Sequence, residues 1–278
     1  MLGKRRLMRE QLAYTRAVKE LGGKVVIMEP GAYAKAVREL LCLLRPMVPQ
    51  GMDKVRIGGD SDGGYVMAAP GNGGIAYSFG VSAVSPWDLD MAERGFKVFQ
   101  YDGSVNSGPD KHPNIFFHKF FISESPATIE PSKSLARILK DHSHEDERDI
   151  ILQIDIEGGE WDFFAKISRE DISRFRQIVV ELHDIHTSPE KYAVLEKIRA
   201  THTPIHFHYN NNVLDSVFIT SPGFIYNPHV VEISYVRNDV CDFREDGGYY
   251  PSRLDFPNIP EKPEIPVGSF DCLLREEW

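Results

Sequence analysis

Asp155 and Glu157 close a short apolar run in the stretch Asp149–Trp161, DIILQIDIEGGEW. Carboxylates so placed can hold a ligand's amino or hydroxyl groups, accept a proton, or bind a hard cation such as Mg²⁺ or Mn²⁺ through oxygen. A second group follows in VVELHDIH, which carries Glu181, His183, Asp184 and His186. An imidazole that titrates near neutrality suits general-base work on an alcohol, so His183 is the first candidate base and Asp155 the second. Asp155, His183, Asp184 and His186 would equally serve a metal-dependent hydrolase. In HFHYNNN, His206 and His208 fall on one face of a strand, and Asn210 opens a run of amides offering donors and acceptors. Asp184, His208, Asn210 and the tail residue Tyr249 are therefore the candidates for holding a polyhydroxylated substrate. A solvated turn, a structural histidine pair and packing aromatics are the plainer uses of the same residues.

These groups need a frame. Ile150, Ile151, Leu152 and Ile154 read as a strand buried on both faces, and ligands of open α/β sheets sit at the carboxyl ends of such strands. From Ile75 the chain alternates strand and helix. Ile75–Val81 runs into Gly80, Ser85-Pro86 starts a helix, and Lys97–Tyr101 ends at Asp102. Ile115–Ile122 and Ile178–Leu182 are further strands, with helices around Ser132–Lys140 and after Ser188-Pro189. Ile205–Tyr209, Val217–Thr220 and Val231–Val236 are expected to finish the sheet, the last two as an antiparallel pair. The alternation predicts an α/β fold with a mainly parallel, doubly wound sheet. Before it, the glycine-rich Arg56–Met67, RIGGDSDGGYVM, is either a backbone cradle for a ligand or an ordinary hairpin.

Three segments follow from this reading: helical residues 1–50, a main domain at 51–238, and a tail at 239–278 that wraps the domain or covers the site. Helices are expected over Leu7–Leu21 and Tyr33–Leu44. In the second, Val37, Leu40, Leu41 and Leu44 form one apolar face that either packs on the domain or pairs with a second subunit in a homo-oligomer. The net charge of −9 over 278 residues argues against general nucleic-acid binding. Three scattered cysteines without metal spacing fit a reducing cytoplasm. The basic start MLGKRRLMREQL lacks the apolar core of a signal peptide, and no apolar run is long enough to span a membrane.

Gly80 and Asp102 have the spacing at which an acid accepts hydrogen bonds from ribose hydroxyls in Rossmann-type sheets. The turn itself, Phe79-Gly80-Val81-Ser82-Ala83-Val84-Ser85, has no G-x-G-x-x-G, and no G-x-x-x-x-G-K-[ST] occurs elsewhere. Dinucleotides and nucleoside triphosphates are therefore disfavoured, and an NAD-dependent dehydrogenase ranks last. A nucleoside without phosphates remains, with S-adenosylmethionine the first candidate.

On RIGGDSDGGYVM, YSFGVS with Trp87-Asp88, FQYDGS, LQIDIEGGEWDFF, VVELHDIH and RLDFP, which occur in family order over roughly residues 55–257, the sequence resembles the S-adenosylmethionine-dependent methyltransferases of the FkbM-like and methyltransferase-22-type families. The resemblance implies a class I methyltransferase (Rossmann-like) fold with a seven-stranded sheet and helices on both faces. It implies Phe79, Gly80 and Val81 at the methionine end of the cofactor, Asp102 on the ribose and Ser123 by the adenine. Arg56 and Asp62-Gly63-Gly64 would approach the cofactor carboxylate or close over it, and Asp155 and Glu157 would sit by the amino group and the reacting centre. The activity implied is O-methyl transfer to a hydroxyl of a sugar or nucleotide-linked sugar, as in polysaccharide biosynthesis, with a divalent ion (Mg²⁺ or Mn²⁺) as an open question. A hydrolase and a non-catalytic carbohydrate-binding module are the rivals.

Overall fold

The structure, a computed structural model, describes residues 24–26, 32–125, 129–185, 188–219 and 224–270. Seven strands make its central sheet: β1 (Gly74–Phe79), β2 (Phe96–Tyr101), β3 (Ile115–His118), β4 (Ile150–Ile154), β5 (Phe175–His183), β6 (His202–Tyr209) and β7 (Val230–Arg237). Their order is β6-β7-β5-β4-β1-β2-β3. The strands from β5 to β3 pair in parallel. β7 alone is reversed, running antiparallel to both β5 and β6.

The apolar strands are buried on both faces because helices or a hairpin cover each side. Along β1, Tyr77 and Phe79 join one core, while Ala76 joins the other; on β4, Leu152 and Ile154 face the first core and Ile151 the second. The first core takes side chains of α1 (Ala32–Leu43), α3 (Leu135–His142), α4 (Glu160–Lys166), α5 (Arg169–Ile172) and α6 (Pro189–Arg199). The second takes Trp87, Met91 and Ala92 of α2 (Pro86–Glu93) and the hairpin of Lys54–Ile57 with Tyr65–Ala68. Serine side chains start three of the helices: Ser134, Ser168 and Ser188 each accept a backbone N–H three residues on. Ser85 makes no such bond, and α2 begins on Pro86 alone.

RIGGDSDGGYVM is the hairpin, with its glycines in the turn. Leu40 and Leu41 of α1, with Leu44 just past its end, are buried in the domain's own core, and Arg199 of α6 donates to the carbonyls of Cys42 and Leu43 at 3.0 and 2.8 Å. The expected helix over Leu7–Leu21 lies outside the described residues.

Two strand expectations are corrected. Leu214–Ile219 does not join the central sheet. It pairs with Phe224–Pro228 and Lys24–Val26 in a separate small sheet, so the partner of the 217–220 segment is not Val231–Val236. That later strand is β7, which inserts between β5 and β6. Ile115–Ile122 is likewise two strands, with β3 ending at His118 and Phe121–Ile122 pairing with Ser132–Lys133.

At the centre, β1 and β4 leave the sheet side by side. Asp155 N–H donates to Phe79 O at 2.8 Å, and Gly80 has φ +89°. A Cβ at Gly80 would lie 1.6 Å from the carbonyl oxygen of Asp155. Gly80→Ala is expected to cost about 3 kcal/mol or more in denaturant unfolding, from a left-handed backbone and a clash with backbone that cannot move aside.

Candidate functional site

The carboxyl ends of β1, β2 and β4 open into a cavity of about 650 Å³. Asp62, Gly63, Gly80, Val81, Asp102, Ser123, Asp155 and Glu157 all line it. Asp102, just past β2, accepts from Val81 N–H through Oδ2 at 2.9 Å. Its Oδ1 accepts from Ser104 N–H and Oγ–H, both at 2.6 Å, and from Val105 N–H at 3.3 Å. Oδ1 is thereby saturated, and Oδ2 keeps a lone pair for a ligand hydroxyl.

Arg56 and Phe79 do not line the cavity. Arg56 braces the hairpin turn, donating to Gly59 O at 2.5 Å and Ser61 O at 2.9 Å. Phe79 is fully buried against Tyr101 and Phe163. The turn that Arg56 holds is pressed on α2: a Cβ at Gly58 (φ +95°) would meet the Trp87 nitrogen at 2.7 Å.

Behind Asp155 stands His183, at the end of β5 and nearly buried. Its Nε2 is 3.8 Å from Asp155 Oδ1 and 3.4 Å from Glu157 Oε2, while Nδ1 is 3.4 Å from Glu160 Oε1. Trp161 Nε1–H donates to the His183 carbonyl at 2.6 Å and fixes the strand end. Glu160 is fully buried and caps its own turn, accepting from Ile156 N–H at 2.7 Å and Gly158 N–H at 3.0 Å. Burial pushes Asp155 up to about 7; His183 opposes this, and Glu160, Glu157 and Asp62 add to it. For His183, burial disfavours the imidazolium, but the Glu160, Asp155 and Glu157 carboxylates outweigh it and the net direction is upward.

Glu181, two residues before His183, lies on the same side. It is held by Tyr65 O–H at 3.0 Å and by Asn210 Nδ2 at 3.5 Å. Burial drives its pKa well above the carboxylate range, reinforced by the charges of Asp155, Glu232 and Asp62. Ligand atoms of Asp155, Glu181 and His183 lie within 4.8 Å of one another. Asp155 Oδ1 is buried and has no hydrogen-bond partner among the described residues. A hard divalent cation fits this corner, since it would relieve the raised carboxylates and take up that orphaned oxygen.

The remaining sequence candidates lie apart from the cavity. Asp184 is exposed and pairs with His229 at 3.1 Å. His206 is bound to Asp255 at 2.7 Å, and His208 sits between Glu232 at 3.0 Å and Glu264 at 3.2 Å. Although burial opposes it, those acids push His208 up to about 10. Tyr249 is 72% exposed. His186 lies outside the described residues. Sequence reasoning passed over Tyr65, Glu160, Trp87, Asp88 and Asn258. Asn258 ties the tail to the cavity wall, donating to Asp62 at 3.0 Å and Glu232 at 2.5 Å. Only the pairing of Trp87-Asp88 with the preceding helix start carried a signal.

Residues 10–201 match a family model described as the methyltransferase FkbM domain. No curated protein matches the chain. Among solved structures, the chain is similar to precorrin 8w decarboxylase, the product of gene MT0146 of Methanobacterium thermoautotrophicum. That likeness has 15% identity and a TM-score of 0.31, over 76% of this chain and 96% of the other.

Asp88 supplies a test of the wall's electrostatics. It is buried, takes Gln100 Nε2–H at 2.5 Å, and burial raises its pKa from 3.8 to about 6. The folded state therefore holds this proton more tightly than the unfolded chain. The stability it contributes is full below pH 3.8 and is lost as pH rises through about 6. Asp88→Asn should raise unfolding free energy by about 3 kcal/mol at pH 8 and by little near pH 4, read by denaturant titration at both pH values.

Proposed function

The chain belongs to the FkbM-domain family of S-adenosylmethionine-dependent methyltransferases, and from that premise we propose that it methylates a hydroxyl of a sugar or nucleotide-linked sugar, with Asp155 and His183 managing the proton. The observation that carries this reading is the cavity itself, which runs between Asp102 after β2 and Asp155 after β4. We read the sheet as the class I methyltransferase (Rossmann-like) fold; its order and the reversed β7 support that assignment.

In this reading Asp102 Oδ2 takes a ribose hydroxyl, Ser123 approaches the adenine, and the Gly80-Val81 backbone runs under the methionine end. When bound, the cofactor supplies the methyl group as an electrophile on a sulfonium. An alcohol is a poor nucleophile at neutral pH, so removing its proton as the new bond forms lowers the barrier. Asp155 is the member of the pair that lines the cavity, with a pKa near neutrality suited to accept that proton. His183, with Nε2 3.8 Å from Asp155 Oδ1 and Glu160 on its other side, steadies the charge on Asp155. The side chains of Ser78, Ser82 and Ser85, with the acids, give a polyol many hydrogen-bond partners.

A second reading rests on the Asp155, Glu181 and His183 donors. They would hold a divalent ion, which would polarise the acceptor oxygen and lower its pKa. A hydrolase built on Asp155, His183, Asp184 and His186 is less well supported, because Asp184 is turned to His229 and the cavity acid Asp102 would have no role.

Calorimetric titration tests the cofactor half: S-adenosylmethionine should bind in the micromolar range, and Asp102→Ala should weaken it by about tenfold or more. No binding by folded, cofactor-stripped protein would sink the reading. For the chemical step, His183→Gln should lower kcat by about 100-fold with cofactor affinity retained. Loss of activity on chelation, restored by Mg²⁺ or Mn²⁺, would select the metal-assisted form; activity indifferent to chelator would select the Asp155–His183 pair.

A further inference from the structure

We infer that the acceptor enters this cavity as an uncharged polyhydroxylated group, a sugar hydroxyl presented without phosphate, and not as a nucleotide-linked sugar; this rests on the methyltransferase reading above. Six carboxylates line the cavity, on Asp62, Asp88, Asp102, Asp155, Glu157 and Asp162. Among the described residues lining it there is no Lys, Arg or His. Only Asp162 has a salt-bridge partner of opposite charge other than His183, namely Lys166 at 2.5 Å.

The other means by which proteins bind phosphate are also taken. Backbone N–H groups at helix starts are natural anion sites. Here Asp88 occupies the first turn of α2, and Glu160 and Asp162 the first turn of α4. The Ile156 and Gly158 N–H groups already donate to Glu160. Val81, Ser104 and Val105 N–H groups donate to Asp102. The chain's own carboxylates thus occupy these five N–H groups. A bound divalent ion at the Asp155–Glu181–His183 corner adds two positive charges but leaves the other acids in excess. S-adenosylmethionine, a net cation, suits such a field; a phosphate ester does not.

The wall also shows what it takes instead. Ser82, Ser85, Ser123 and Gln153 line the same cavity. Their hydroxyl and amide groups are neutral and offer both donors and acceptors. A hydroxyl is the neutral group that both accepts and donates, so a polyol satisfies this wall where an anion would not.

Two sets of measurements test this. Protein loaded with S-adenosylhomocysteine is titrated with inorganic pyrophosphate and with UDP at low salt; both should bind no tighter than about 1 mM. In parallel, S-adenosylmethionine affinity should fall several-fold as salt is raised, while that of the neutral homocysteine product stays flat. Methyl transfer from labelled S-adenosylmethionine is then compared between the methyl glycoside and the UDP-linked form of the same sugars, the glycoside favoured by about 100-fold in kcat/KM. Ser85→Ala should raise acceptor KM several-fold at unchanged cofactor affinity. Micromolar binding of UDP or pyrophosphate, or preferred turnover of the UDP-sugar, overturns the inference while leaving the methyltransferase reading intact. Failure to bind either form of the cofactor overturns both.

Discussion

The site depends on the contact between Gly80 and the backbone of Asp155. Gly80 N–H donates to Tyr101 O at 3.0 Å on one side, and Phe79 O accepts from Asp155 N–H at 2.8 Å on the other. The end of β1 is thus tied to β2 and β4 beyond the last sheet residue of each. Any side chain at Gly80 would wedge β1 from β4. Because none is there, the acids that follow β2 and β4 face a common opening. Asp102 then takes Val81 N–H at 2.9 Å, so the same turn that admits Asp155 also orients Asp102. One missing Cβ therefore positions a carboxylate on each side of the cavity.

Much of that half was legible from sequence because it is local. β1, β2, β4 and β5 are apolar runs, and Gly80, Asp102, Asp155 and Glu157 sit at their ends at spacings set by strand geometry. The misread parts are those decided by distant pairing. Val217–Thr220 has the composition of a core strand, and nothing in it says that its partner is Phe224–Pro228. His206 and His208 have chelate-like spacing, but their partners arrive from elsewhere: Asp255 is 49 residues on, and Glu264 is 56. Glu160 reads as an ordinary acid in a helix's first turn; only the fold shows that it is wholly buried behind His183. Arg56, read as a ligand for a carboxylate, finds its acceptors in the carbonyls of its own turn.

Burying acids at and behind this opening carries a free-energy cost, visible in the upward shifts of Asp88, Asp155 and Glu181, which burial drives and neighbouring carboxylates reinforce. The fold limits it by feeding the carboxylates backbone N–H groups and helix starts, which stabilise negative charge without introducing a cation. Deeper in, His208 is held cationic against Glu232, and Asn258 bridges Glu232 to Asp62. The acidic field at the cavity and the buried charge behind it are therefore one connected arrangement.

That arrangement also explains why the cofactor was easier to read than the acceptor. The wall that we read as the cofactor's is built from residues at neighbouring strand ends, each placed by its own strand. The opposite wall is assembled from contacts such as Tyr65 to Glu181, 116 residues apart, and Asp62 to Asn258, 196 apart. Such contacts exist only once the hairpin and tail have folded over the sheet. No local pattern encodes that wall. Its chemistry can still be read from the structure: carboxylates that already accept from the backbone, beside the neutral side chains of Ser82, Ser85 and Gln153, describe a surface suited to hydroxyls.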